Sequence, residues 1–397
     1  MLPKLDFAVP EPGSTTTRTV LSGALGRVCR ELPAAIAPHE RGDDARSLGR
    51  VLALLSRSNP GAVASILRRP HASTLVRAMR SAPAGDAHAL AVELRATLAF
   101  DLAYLGVLPC AVTLRELPPR IVSLAARVAV DLGEGLGAAT FDDGHMRGEG
   151  PRGAVTLDLA AIARGAESAR LHRAYRVVRG EIVLALADNN PLSGLEAHPD
   201  KTTPNTVDLG GRSEDEWLAS IDGALGIIGR HLPGVAQDID LVVQQIVPTG
   251  YDAVRHLSCS YRENVGTVYA SLHPSVLTMA EALIHEASHN KLNALFDLDP
   301  VIENRDDERY PSPVRPDPRP LRGVLLAVHA FVPVACLYER MLRSELAHGV
   351  RRERLEERLA AIVRGNRAGL EVLRAHARPT PVGRALLEEL SRYDARL

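Results

Sequence analysis

The stretch Val276-Leu277-Thr278-Met279-Ala280-Glu281-Ala282-Leu283-Ile284-His285-Glu286-Ala287-Ser288-His289-Asn290-Lys291-Leu292-Asn293-Ala294-Leu295 decides the reading of this chain. Its spacing predicts a helix, and an HExxH pattern at 285–289 places His285 and His289 one turn apart on one face. Two imidazoles so placed can share a metal ion, while Glu286, about 100° round the helix, lies beside the position of a metal-bound water. Apolar residues from Leu277 to Leu295 wrap the helix, so it belongs in a core. Burying two histidines and a glutamate without partners is costly, and one metal would satisfy all three. The bland alternative is a pair of hydrogen-bonded core histidines with a capped carboxylate.

Working upstream, Gly266–Leu272, His256–Ser260, Ile239–Ile246, Tyr175–Leu186, Arg152–Leu159 and Arg120–Val130 read as strands from their β-branched or alternating residues. A strand leading into the motif helix offers a sheet edge on which an extended peptide can pair. Ser213 and Glu216 form a capping box that starts a helix running to His231. Between Ala187 and Gly211 lies a long polar loop of Asp, Asn, Glu and His, which is either a rim of the site or a connection held by Asx turns. Ala45–Leu55, Gly61–Leu67, Ser73–Met79 and Asp86–Leu105 have helical periodicity broken by Pro and Gly. The Pro-rich start reads as an extended or mobile arm. The expected architecture is α+β, mainly α. Residues 1–19 form the arm, 20–118 a helical N-terminal region, 119–345 the metal-binding region with a small mixed or antiparallel sheet, and 346–397 a charged helical C-terminal region.

Two histidines rarely hold a catalytic metal alone, so a third ligand is expected. Downstream, Tyr310 to Pro320 is a Pro-rich run that must be extended. An apolar helix follows from Leu321 to Leu342 with His329 in its middle, and His329 is the first candidate. Glu339 is the second; ten residues separate the two, so they project about 80° apart. His273, His198 and His256 are further candidates. The longer HExxHxxGxxH pattern is absent, since Leu292 and Leu295 stand where glycine and histidine would be.

With 397 residues and 46% hydrophobic content, the chain can bury a full core. A net charge of -1 without a polybasic block points away from nucleic acid and anionic membranes. No apolar run reaches the ~20 residues of a bilayer span. Cys29, Cys110, Cys259 and Cys336 are scattered without a CxxC pair and no signal peptide pattern is present, which points to a reducing cytoplasm. The N-terminal helices and the mixed-charge 351–357 segment offer support or contacts for a homo-oligomer.

The motif helix from Ala280 to Leu295, the run Ser312-Pro313-Val314-Arg315-Pro316-Asp317-Pro318-Arg319-Pro320-Leu321-Arg322-Gly323 and the Glu196–Lys201 loop together resemble the HExxH-motif peptide-modification proteins found beside ribosomally made peptide natural products. The resemblance covers about residues 175–345. It departs from the family at Val314, where an aromatic residue is usual. It implies an iron(II) and α-ketoglutarate-dependent oxygenase that uses dioxygen to hydroxylate the β-carbon of a side chain in a precursor peptide. It also implies a histidine on the helix after the Pro-rich run, a role that His329 alone can fill. An iron(II) site with three protein ligands has room for a keto acid and dioxygen. The distal carboxylate of the keto acid needs a cation, and Arg319, then Arg315, are the candidates, with Arg322 beside them. Lys291 projects about 160° from His289 and is not expected at the site. Iron oxygenases more often use two histidines and a carboxylate, a set that Glu339 would restore. The alternative is a zinc hydrolase, a peptidase in which Glu286 is the general base.

Overall fold

Proline and asparagine punctuate the first hundred residues into helices. Thr16–Ile36 is α1, Leu48–Ser58 α2, Pro60–Leu67 α3, Pro70–Ala78 α4 and Ala84–Tyr104 α5. Ser47 and Asn59 cap α2 and α3 by accepting the Arg50 and Ala62 N–H groups, and Pro60 and Pro70 occupy first-turn positions whose N–H groups have no helical acceptor. The computed structural model describes residues 6–39, 47–80, 82–133, 136–150, 153–193, 205–312, 317–344 and 350–397.

Short strands follow: β1 (Val112–Leu114), β2 (Arg120–Ser123), β3 (Val128–Asp131), β4 (Ala138–Asp142), β5 (His145–Gly150) and β6 (Gly153–Asp158). After the single-turn helix α6 (Leu159–Ala163) come β7 (Leu171–Arg173), β8 (Tyr175–Arg179) and β9 (Ile182–Ala185). Strands β1-β4-β5-β6 and β2-β3-β7 form two antiparallel sheets that close over α5. Their apolar faces join those of α1–α5 in one hydrophobic cluster.

The second half holds α7 (Glu214–His231), α8 (Pro233–Val242), β10 (Gln245–Tyr251), β11 (Ser258–Cys259), β12 (Thr267–Leu272), α9 (Val276–Phe296), α10 (Leu321–Arg343), α11 (Val350–His376) and α12 (Pro381–Asp394). A mixed sheet runs β11-β12-β10-β9-β8, with β10 parallel to both β9 and β12. Helix α9 is sandwiched between this sheet and α7 and α10 in the largest hydrophobic cluster. With 53% helix and 17% strand the class is α+β, mainly α.

Three sequence expectations change. Tyr175–Leu186 is a hairpin rather than one strand, because Gly180 turns the chain at φ +55 between β8 and β9. Arg120–Val130 likewise breaks into β2 and β3, with Arg127 in the left-handed region. Ile239 to Val242 belongs to α8, where Val235, Ile239 and Val242 bury one helical face, and the strand begins only at Gln245. Helix α10 is, among the described residues, long and apolar enough to cross a membrane, but most of it is buried inside the protein. Residues 6–10 belong to no helix or strand, yet Phe7, Ala8 and Val9 are 1–2% exposed. Gly234 makes room for this strap: a Cβ there would lie 1.9 Å from the Pro10 carbonyl oxygen.

Candidate metal centre

Helix α9 starts where Ser275 accepts the Thr278 N–H, and it carries His285 and His289 one turn apart, as their spacing requires. Their ring centroids are 4.3 Å apart at 80°. The Phe331 ring of α10 stands edge-on to His285 at 4.6 Å. Both histidines keep part of their surface exposed, while their Nδ1 atoms are buried and make no hydrogen bond. Burial, followed by the charge of Arg358 and the neighbouring His256, pushes His285 down to about 4. Burial and His285 hold His289 well below the usual histidine range. Both rings are therefore neutral at pH 7, the form that ligates metals.

His329 lies in the middle of α10 with 0% exposure, and neither ring nitrogen has a partner of good geometry, although the Ser288 backbone lies beside it. Burial, Lys291 and His289 hold its pKa far down. The Phe7 ring of the N-terminal strap packs on it at 5.4 Å. Lys291 does point away from the motif histidines: its Nζ donates to Asp238 Oδ2 at 2.7 Å and to the Phe7 carbonyl, and it sits 5.0 Å from the Phe7 ring centre. A compact ammonium with three rotatable donors suits such a closed pocket better than a planar guanidinium.

Glu286 faces the sheet. Ser258 Oγ donates to its Oε1 at 2.7 Å and Ser260 Oγ to its Oε2 at 2.6 Å, and the residue is 2% exposed. Ser258 and Ser260 reach one carboxylate because alternate residues of an extended segment share a face. Asn290, one turn on, bonds Ser260 Oγ, the Thr267 carbonyl and the Gly266 N–H, which ties α9 to β12. The edge strand beside the motif is therefore β11, not the strand that leads directly into the helix.

No protein-family model matches the chain, and no curated protein is significantly similar to it. The remaining candidates rest on geometry. Glu339 pairs with Arg343 on α10. His273 accepts the Ser275 N–H at 2.9 Å and stands edge-on, 6.4 Å between ring centroids, to His256, whose buried Nε2 has no partner. Burial and His273 push His256 down to about 4. Arg319 is about one-third exposed, 2.9 Å from Asp317, and its backbone pairs with Tyr310. Arg322 lies near Asp306 and over the Phe296 ring. Arg315, His198 and the Glu196–Lys201 loop lie outside the described residues. In the stretch read as a rim of the site or a connection held by Asx turns, Asp188 Oδ1 accepts the Asn190 N–H at 3.3 Å and Asn190 Oδ1 the Leu192 N–H at 3.0 Å, while Asp188 and Asn190 also bond Tyr269 Oη and Asn189 bonds the His71 carbonyl.

Sequence reasoning missed Arg358. It forks onto Glu281, which also accepts Tyr338 Oη at 3.0 Å, and its charge reaches His285. Glu281 sits one turn before His285, so the i−4 position was the available signal; Arg358 itself is lost among the many charges of α11. Among the described residues, no three His, Cys, Asp or Glu side chains converge closely enough to hold an ion. In kind, number and protonation, His285, His289 and His329 nevertheless fit a metal, since their buried ring nitrogens have no other occupant.

Proposed function

We propose that the chain is an iron(II) and α-ketoglutarate-dependent oxygenase that hydroxylates the β-carbon of a side chain in a ribosomally made precursor peptide. The observation that carries this reading is the set of neutral imidazoles at 285, 289 and 329, each with a buried and unpartnered ring nitrogen, beside a Glu286 whose carboxylate is already engaged. His285, His289 and His329 would hold the metal, with a side-chain adjustment of His329 past the Phe7 ring. Iron(II) with the keto acid and dioxygen supplies an oxidant that converts C–H to C–OH, with succinate and carbon dioxide as co-products.

The chain's own residues do the rest. Ser258 and Ser260, through Glu286, fix the β11 edge against α9, and this edge is where an extended peptide would add. Arg358 is a cation whose field reaches His285, and it joins Arg319 and Arg315 as a candidate partner for the distal carboxylate. A zinc hydrolase would need Glu286 free to take a proton from water. Two hydroxyls donating into a carboxylate that is 2% exposed weigh against that role.

Anaerobic addition of iron(II) and then α-ketoglutarate to metal-free protein tests the reading without any peptide. A visible charge-transfer band should form and should be lost in His329→Ala. Tight zinc binding with no band, together with peptide cleavage abolished by Glu286→Gln, would instead make the protein a hydrolase.

A further inference from the structure

Next to Arg77, which bonds the Asp297 cap at the C-terminal end of α9, a half-open cavity of about 300 Å³ lies between α1, the α3–α4 junction and the end of α8. Arg18, Arg68 and Arg77 line it, and no carboxylate does. Arg77 is 5% exposed; its Nε donates to Asp297 Oδ2 at 2.9 Å, while its buried Nη1 has no hydrogen-bond partner. Asp297 is itself shared with Arg80, which bonds Oδ1 at 2.7 Å. Arg18 and Arg68 are exposed and have no ion-pair partner among the described residues. Three arginines therefore line one cavity, and the carboxylate beside Arg77, Asp297, is divided between Arg77 and Arg80 and is not part of the lining.

A buried guanidinium N–H left unpaired costs free energy that a ligand oxygen would recover. Guanidinium forks match carboxylate and phosphate oxygens. The rest of the wall is different in kind: Leu21, Leu25, Leu67, Val242 and Val265 are apolar. The volume is at the small end for organic ligands. We infer that this cavity binds a small organic anion, one carboxylate or phosphate group on an apolar body, with the anionic group against Arg77 and clamped by Arg18 and Arg68. The motif histidines line no part of it, so the site is separate from the metal centre.

Calorimetric titration of the full chain with hexanoate, hexyl phosphate, inorganic phosphate and hexanol tests the inference. One of the two hexyl anions should bind saturably and raise the Tm, and the tighter of them identifies the headgroup. Hexanol and inorganic phosphate should bind at least about tenfold more weakly. Arg18→Ala with Arg68→Ala, both exposed positions, should cost at least about tenfold in affinity while leaving the Tm of the free protein unchanged. His289→Ala should bind the anion as the parent chain does. Absence of saturable binding, equal affinity in the double arginine variant, or loss of binding in His289→Ala would each overturn the proposal.

Discussion

His71 and His329 are both buried helical histidines, 1% and 0% exposed, yet the two halves of the molecule treat them differently. His71 on α4 has Nε2 3.0 Å from Asp101 Oδ2, and Ser123 Oγ bonds the other oxygen of that carboxylate at 2.5 Å. His329 on α10 has neither a carboxylate nor a hydroxyl, and its neighbours are Phe7, Lys291 and another histidine. A histidine kept only for packing acquires a partner, as His71 has. His71 keeps one buried nitrogen, Nδ1, without a partner, whereas His329 has none on either nitrogen, and the Nδ1 atoms of His285 and His289 are likewise unpartnered.

His289→Ala breaks the comparison hardest. It should lower iron(II) or zinc(II) affinity about a thousandfold, close to 4 kcal/mol, in competition with a chromophoric chelator. His71→Ala should leave metal affinity unchanged. Equal metal binding by parent and His289→Ala would make the motif histidines ordinary core residues. Phe7→Ala comes next, with a loss of about 3 kcal/mol in urea unfolding, since an aromatic ring on α10 and its contact with Lys291 disappear. A loss below about 1 kcal/mol would mean that the strap does not hold its ring against His329 in solution. His71→Ala should cost about 2 kcal/mol, because Asp101 keeps Ser123 but loses its ring partner in a dry setting. No measurable loss would erase the contrast from the other side.

The motif helix and the apolar helix carrying His329 were legible in the sequence because their signals are local: a period and a fixed spacing. The capping box at Ser213 and Glu216 was legible for the same reason. Ile239–Ile246 misled because β-branched residues serve a buried helix as well as a strand, and Pro233 at the first turn outweighs them. Nothing local announces that Ser258 and Ser260 would clasp a glutamate 28 and 26 residues away, or that Phe7 would reach His329. Arg358 was hidden for a different cause. In an α11 crowded with charges, only the fold distinguishes the one that turns inward to Glu281.

A pH dependence compares the same two regions through their acids. Glu389 of α12 accepts the Phe7 and Ala8 N–H groups on Oε1 at 2.9 Å, and burial pushes it up to about 7. Glu93 of α5, near Asn189 and Asp188, is also raised to about 7 by burial. A carboxyl whose folded pKa lies above its ordinary 4.5 binds a proton more tightly when folded, so its contribution is fully present below pH 4.5 and lost as pH rises through 7. Across that window each acid should add a downward slope of about 1 kcal/mol per pH unit. His285 and His256, lowered to about 4 by burial, act in the opposite sense, because below pH 6.5 the unfolded chain protonates them while the folded protein keeps them neutral, so stability falls as pH falls towards 4. His289 and His329, also held low by burial, act in that same sense, so the difference between parent and variant is what isolates each acid. Glu389→Gln should remove the strap's share and leave that of Glu93, read as unfolding free energy in urea from about pH 4.5 to 8. If the parent and Glu389→Gln curves run parallel through that range, Glu389 is ionised in the folded protein and the strap is held by a charged clasp instead of a neutral one.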